Sequence, residues 1–295
     1  MELQIDIDSQ VKRISPLTKK GFFGKLVGEY RSAFRGRGLE FTGFRGYDQS
    51  DDAIRIDWKA SLRSQDLLVR QFEEERNLSV LFIFDTSDSM LYSSTGKLKA
   101  EYAAEFIGAL AYGILHAEDS VGLLMFNDDL RAFLAPHIGD KQFFTITEEL
   151  KNMRNYGGPK NYEKLIKFCM NTLSKTTIIF LVTDFIGLPE EDFLINAFLS
   201  KFEVVGFMIR DKNDNELPIA GNATISDPFT HDEILIDTER IKSLYDEYAR
   251  KQRMRVAELF RKSQDDIIEI MTTDDYLKVL LRFFMHRQGK QVQVV

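Results

Sequence analysis

Two five-residue runs, Val80–Phe84 and Ile178–Val182, are apolar at every position rather than at every second one, and Asp85 and Asp184 follow closely behind them. A strand with one wet face alternates. A strand apolar on both sides is covered on both sides, which is the habit of a parallel sheet held between helices. The segments between such runs carry the matching helical period. Within 97–117, Leu98, Tyr102, Phe106, Leu110 and Ile114 recur on one face, and further helices are predicted near 140–154, 161–174, 238–263 and 273–287. "SVGLLMF" is a third strand, "RAFLA" after "NDD" is its antiparallel hairpin partner, and "EVVGFMI" and "IIEIM" are two more. Residues 211–237 are polar and broken by Pro218, Gly221 and Pro228, so loops or a hairpin are expected there. The pattern predicts an α/β chain of Rossmann-like, doubly wound design, with a mainly parallel sheet and one antiparallel edge strand.

Residues 1–78 have a different texture. "LEFTGFRGYD" and "DLLVRQFEEE" alternate like half-buried strands, which predicts a β-rich N-terminal extension over 1–78 before a main domain at 79–287 and a frayed tail at 288–295. The extension includes a basic run, Lys19, Lys20, Lys25, Arg31, Arg35 and Arg37, a candidate docking face for an acidic partner surface. In "RIDWKASLR", Asp57, Trp58 and Arg63 are expected to clamp the extension onto the main domain.

The ends of the two apolar runs are the chemical puzzle. In an open parallel sheet, ligands collect at the carboxyl ends of the strands where strand order reverses. Asp85, Ser87 and Ser89 after the first run and Asp184 after the second would converge there in one shallow site. Helix capping explains this cluster poorly, because the helix is predicted to begin only near Lys97. Two adjacent carboxylates raise each other's pKa unless a cation compensates them, and mixed carboxylate and hydroxyl oxygens suit Mg²⁺ or Mn²⁺. Asp85, Ser87, Ser89 and Asp184 are therefore the candidate metal ligands.

Composition narrows the rest. A net charge of −7 argues against nucleic acid as a partner, and the longest apolar stretch, "AAEFIGALAYGIL", is too short to span a bilayer and carries Glu105. The single cysteine, Cys169, reads as a core residue of a protein in a reducing compartment, and the four histidines are too scattered for a zinc site. A cytoplasmic location is expected, without membrane insertion.

Asp85, Ser87 and Ser89 resemble the D-x-S-x-S motif of von Willebrand factor type A domains, whose metal-ion-dependent adhesion site holds Mg²⁺ and lets a partner's acidic residue complete the shell. Asp184 in "LVTDF" is similar to that family's later aspartate. More widely, "GEYRSAFRGRGLEFTGFRGYDQSDDAIRIDWKASLR", "VRQFEEER", "DTSDSM", "VGLLMF" and "LVTDF", in this order, resemble the bacterial and archaeal family called domain of unknown function 58. The resemblance implies a non-catalytic, metal-dependent interaction module working with a MoxR-type AAA+ ATPase in chaperone-like assembly or maturation of another complex. One turn departs from the pattern. Where such families show G-G-T, with the threonine as a further ligand, this chain has Gly157, Gly158, Pro159, Lys160 and Asn161. Lys160 and Asn161 are thus candidate modifiers of the site, and Lys160 is placed to bring an ammonium to Asp85 and Asp184 in the metal's stead. Two alternatives stand beside the module: a structural adaptor with a vestigial site, and a phosphatase of the haloacid-dehalogenase type using Asp85. The second lacks its general acid, because Ser87 stands where that acid belongs.

Overall fold

The computed structural model describes residues 3–12, 39–48, 56–64, 66–74, 78–189, 193–227, 230 and 232–289. The basic residues Lys19, Lys20, Lys25, Arg31, Arg35 and Arg37, and the tail from 290, lie outside the described residues.

The chain runs through β1 (Leu39–Gly46), α1 (Trp58–Ser64), β2 (Leu68–Glu74), β3 (Ser79–Asp85), α2 (Lys99–His116), β4 (Ser120–Phe126), β5 (Leu130–His137), α3 (Asp140–Lys151), α4 (Tyr162–Thr172), β6 (Ile178–Thr183) and α5 (Phe193–Lys201). It continues through β7 (Glu203–Arg210), the short α6 (Lys212–Asn215), β8 (Asn222–Ser226), β9 (Glu233–Asp237), α7 (Thr238–Ser263), β10 (Asp266–Met271) and α8 (Tyr276–Gly289). Six strands form the main sheet in the order β10-β7-β6-β3-β4-β5. All neighbours are parallel except the edge pair β4 and β5. This mixed α/β, mostly parallel arrangement is Rossmann-like. The chain leaves β3 toward β4 and β5 on one side and returns to β6 on the other, so the strand order reverses between β3 and β6.

The unbroken apolar runs have a simple structural meaning. Successive side chains of a strand point to opposite faces, and each face here has its own core. Val80, Phe82 and Phe84 of β3 join Ile178, Phe180 and Val182 of β6 in one cluster with α2. Leu81 and Ile83 join Ile179 and Leu181 in the other, with α4, α5 and α7. Cys169 is buried in this second core, and burial pushes its thiol up to about 12, as a core-filling role requires.

Outside the main sheet, β1 and β2 form an antiparallel pair and β8 and β9 another. The second fulfils the hairpin expected within 211–237. One expectation is corrected. Trp58 is 63% exposed, so it does not clamp the extension onto the main domain. Asp57 instead caps α1, accepting the N–H groups of Lys59 and Ala60. Residues 3–12 pack on α2 and bury Ile7 in the first core.

Candidate functional site

Asp85 ends β3 and Asp184 directly follows β6, on the two sides of the reversal point. In β3 and β6 Phe84 pairs with Val182, so the next residues, Asp85 and Thr183, are also neighbours and share a face. The Thr183 hydroxyl donates to Asp85 Oδ2 at 2.5 Å, and Ser87 N–H donates to Asp85 Oδ1 at 3.0 Å. Tyr162, at the start of α4, brings its hydroxyl to within 3.2 Å of the Thr183 hydroxyl.

Lys160 closes the corner. Its Nζ lies 2.5 Å from Asp85 Oδ2 and 2.7 Å from Asp184 Oδ1, and it donates to the Ile186 carbonyl at 3.2 Å. The turn that delivers it depends on two glycines in the left-handed region, Gly157 at φ 93° and Gly158 at φ 95°. There a Cβ is strained. The turn is sewn to the loop after β3: Gly157 N–H donates to the Thr86 carbonyl, Gly158 N–H to Asp88 Oδ1, and Asp88 N–H to the Gly158 carbonyl. Sequence-distant segments are thereby fixed in register, and the ammonium arrives between the two carboxylates.

A second ammonium extends the cluster. Lys99, in the first turn of α2, bridges Asp184 Oδ2 at 3.0 Å and Asp214 Oδ2 at 2.8 Å. Asp85, Asp184, Ser87, Ser89 and Lys99 are all buried. The shallow site expected from the sequence is therefore a sealed one, with two ammonium groups inside it. Burial opposes charge on Asp184, yet Lys160 and Lys99 hold its carboxyl well below the usual carboxylate range. Burial likewise opposes charge on Lys160, and Asp184 and Asp85 override it, raising the ammonium above the usual lysine range. Both groups stay ionised because each is desolvated only together with its counter-charge.

Of the expected metal ligands, Asp85 and Asp184 meet through Lys160, and the Ser87 and Ser89 hydroxyls lie 3.3 Å from each other. Ser87 stands before a single 3₁₀ turn, Asp88–Leu91, but its side chain makes no capping bond, so capping does not account for it. The donor set does not fit a divalent ion as it stands. Both carboxylates already hold an ammonium at contact distance, and a dication in the same place would be set against that charge. Among the described residues no group of three or more His, Cys, Asp or Glu side chains is arranged to hold a metal. Asn161, expected to modify the site, serves α4 instead: its side chain caps the helix by accepting Lys164 N–H at 3.0 Å.

The sequence reading missed Lys99, Asp214, Thr183 and Tyr162. Lys99 left a signal, since it precedes Tyr102 and Phe106 by three and seven residues and so falls on the apolar stripe of its helix. Thr183 could have been found by extending the β6 alternation one step. Asp214 left none, because the short helix α6 reaches Lys99 only in the assembled sheet.

Comparison with known proteins gives the family. A family model described as "Protein of unknown function DUF58" matches residues 43–255, and the chain belongs to that family. It is similar, at 22% identity over 298 residues, to the uncharacterized proteins Rv1480 of Mycobacterium tuberculosis and Mb1516 of Mycobacterium bovis, an alignment that covers 97% of this chain and 93% of each relative. Among solved structures, it is similar to an aerotolerance-related membrane protein from Bacteroides fragilis, with 15% identity and a TM-score of 0.48 over 72% of this chain and 100% of that one. BatB from Bacteroides thetaiotaomicron gives 15% identity and a TM-score of 0.46 over the same shares. Among the described residues no helix is long and apolar enough to cross a membrane.

Proposed function

We propose that this member of the DUF58 family is a non-catalytic protein-interaction module of the von Willebrand factor A-like kind, in which the ammonium of Lys160 takes the place of the divalent ion at the adhesion corner. The observation that carries the reading is the seat of Lys160 Nζ, 2.5 Å from Asp85 and 2.7 Å from Asp184 at the strand-order reversal. In a metal-dependent corner the ion keeps an open coordination position for a partner's carboxylate. A buried lysine offers no such position, so here the corner works as a rigid key. It locks the loop after β3, the Gly157–Lys160 turn and the loop after β6 into one surface, and a partner reads that surface.

The resemblance of the motifs supports a MoxR-type AAA+ ATPase as partner, with chaperone-like assembly of another complex as the setting. A phosphatase role for Asp85 is less favoured. Both oxygens of Asp85 are engaged, by Ser87 N–H on one side and by Thr183 and Lys160 on the other, and Ser87 occupies the general acid's place.

Titration calorimetry with Mg²⁺ tests the reading. Wild-type protein is expected to give no binding heat, whereas the Pro159→Thr/Lys160→Ala variant, which restores a hydroxyl to the turn and removes the ammonium, gains binding. Tight Mg²⁺ binding by the wild type would return the corner to the metal-dependent form. Sustained turnover of a generic phosphoester, abolished by Asp85→Asn, would overturn the non-catalytic assignment.

A further inference from the structure

We infer that residues 3–12 form a releasable strap whose docking on α2 holds the Lys99 clamp closed on Asp184. This concerns control of the corner described above and rests on that assignment.

The strap is attached through two buried glutamates of α2 that also shape the helix entrance. Glu101 accepts Gln4 N–H on Oε1 at 2.6 Å and Leu98 N–H on Oε2 at 2.9 Å. Glu105 accepts Asp6 N–H on Oε1 at 3.1 Å, while its Oε2 takes the Gln10 side-chain amide at 3.1 Å and Lys97 Nζ at 2.5 Å. Glu101 gives one oxygen to the strap and the other to Leu98 N–H, while Glu105 gives both oxygens to the strap and shares Oε2 with Lys97. Losing the strap therefore leaves Glu101 with Leu98 N–H and Glu105 with Lys97, and both carboxylates free to reorient. Leu98, the residue that starts α2, and Lys97 lose their fixed partners.

Between the polar attachments the strap is keyed by shape. Ile7 is fully buried against Gly108, where an added Cβ would come within 2.7 Å of Ile7 Cγ2. Tyr276 of α8 donates to the Gln10 side chain at 2.9 Å, and Asp8 pairs with Lys151 of α3 at 2.9 Å in an exposed contact. Ile5 and Val11, partly buried, also pack against this core, and the remaining attachments are hydrogen bonds and one exposed ion pair. An open cleft of about 510 Å³, lined by residues 3–6, Gly96, Lys97, Glu101 and Glu105, borders the strap where it meets α2. A short segment with one fully buried side chain, two partly buried ones and otherwise polar attachments belongs to the part of a fold that opens before the whole unfolds.

Hydrogen exchange on the full chain, read by mass spectrometry, tests this. Residues 3–12 are expected to exchange through a partial opening well before β3 and β6. Ile7→Asp is expected to speed exchange over residues 98–104 roughly thirtyfold, the equilibrium equivalent of exposing one aliphatic side chain, while β4 and β5 stay unchanged. A synthetic peptide of residues 1–12 added in trans should reverse the effect. Gln4→Pro, which removes the donor to Glu101 and keeps Ile7, should give the same pattern in milder form and serves if Ile7→Asp does not fold. Exchange of the strap only with the global transition would overturn the inference, as would acceleration confined to 3–12 in either variant. These readouts need neither metal nor partner, so they stand apart from the tests of the module itself.

Discussion

Asp184 and Asp265 are two aspartates at opposite ends of the same sheet, and they meet burial in opposite ways. Asp184 follows β6 at the carboxyl edge, fully buried, between the ammonium groups of Lys160 and Lys99. Asp265 precedes β10 at the amino edge, half-buried, where its Oδ1 accepts Val204 N–H at 3.0 Å. Its Oδ2 makes no hydrogen bond, since the nearby Ser263 hydroxyl donates to the Leu259 and Phe260 carbonyls. Burial, aided by the negative charges of Glu203 and Asp266, lifts the Asp265 carboxyl to about 6. The more deeply buried acid is thus the more firmly ionised, because counter-charge and not depth decides the matter.

The largest expected effect comes from removing that counter-charge. Lys160→Met leaves Asp85 a buried charge without its cation and Asp184 with Lys99 alone, and should cost about 3–5 kcal/mol in urea unfolding. A loss below about 1 kcal/mol would mean that the corner hydrates freely and the contrast with Asp265 is one of degree.

A smaller effect is expected from the turn that aims Lys160. Gly158→Ala places a Cβ at φ 95° and should cost about 1–2 kcal/mol in the same assay, through backbone strain. If Gly158→Ala approaches the cost of Lys160→Met, strain in the turn is also displacing the ammonium.

The smallest effect has the opposite sign. Because the folded-state pKa of Asp265 lies above its unfolded value, its contribution is most favourable below about pH 4 and is lost as pH rises through about 6. Asp265→Asn keeps an acceptor for Val204 N–H and should stabilise the protein by about 1 kcal/mol at pH 7.5, with solvent screening of this half-buried group allowed for, and by nothing at pH 3.5. Asp184 tilts the profile the other way. Its lowered pKa gives stability above about pH 4 that is lost on acidification. Equal stability of Asp265→Asn and wild type at both pH values would remove the contrast.

Much of the corner was legible before any coordinates. The apolar runs placed Asp85 and Asp184 at strand ends, and the departure at Pro159 and Lys160 pointed to an ammonium beside them. Trp58 misled, because a large aromatic residue in a polar segment carries no mark of whether a partner surface covers it. Lys99 was half legible, since its helical phase marked it as inward-facing while nothing in the chain named Asp184 and Asp214 as its partners.

The sequence by itself determined the strand faces, the two-sided burial of the sheet and the residues that stand at its carboxyl edge. Side-chain alternation and helical period are local properties, set by backbone geometry and readable one segment at a time. Only the tertiary structure decided that the corner is sealed, that Lys99 and Asp214 belong to it, and that Glu101 and Glu105 tie residues 3–12 to the helix bearing Lys99. Most of those pairings join residues roughly 75 to 115 positions apart, such as Lys160 with Asp85 and Lys99 with Asp214. Their existence depends on which charges are desolvated together, a quantity no local pattern carries.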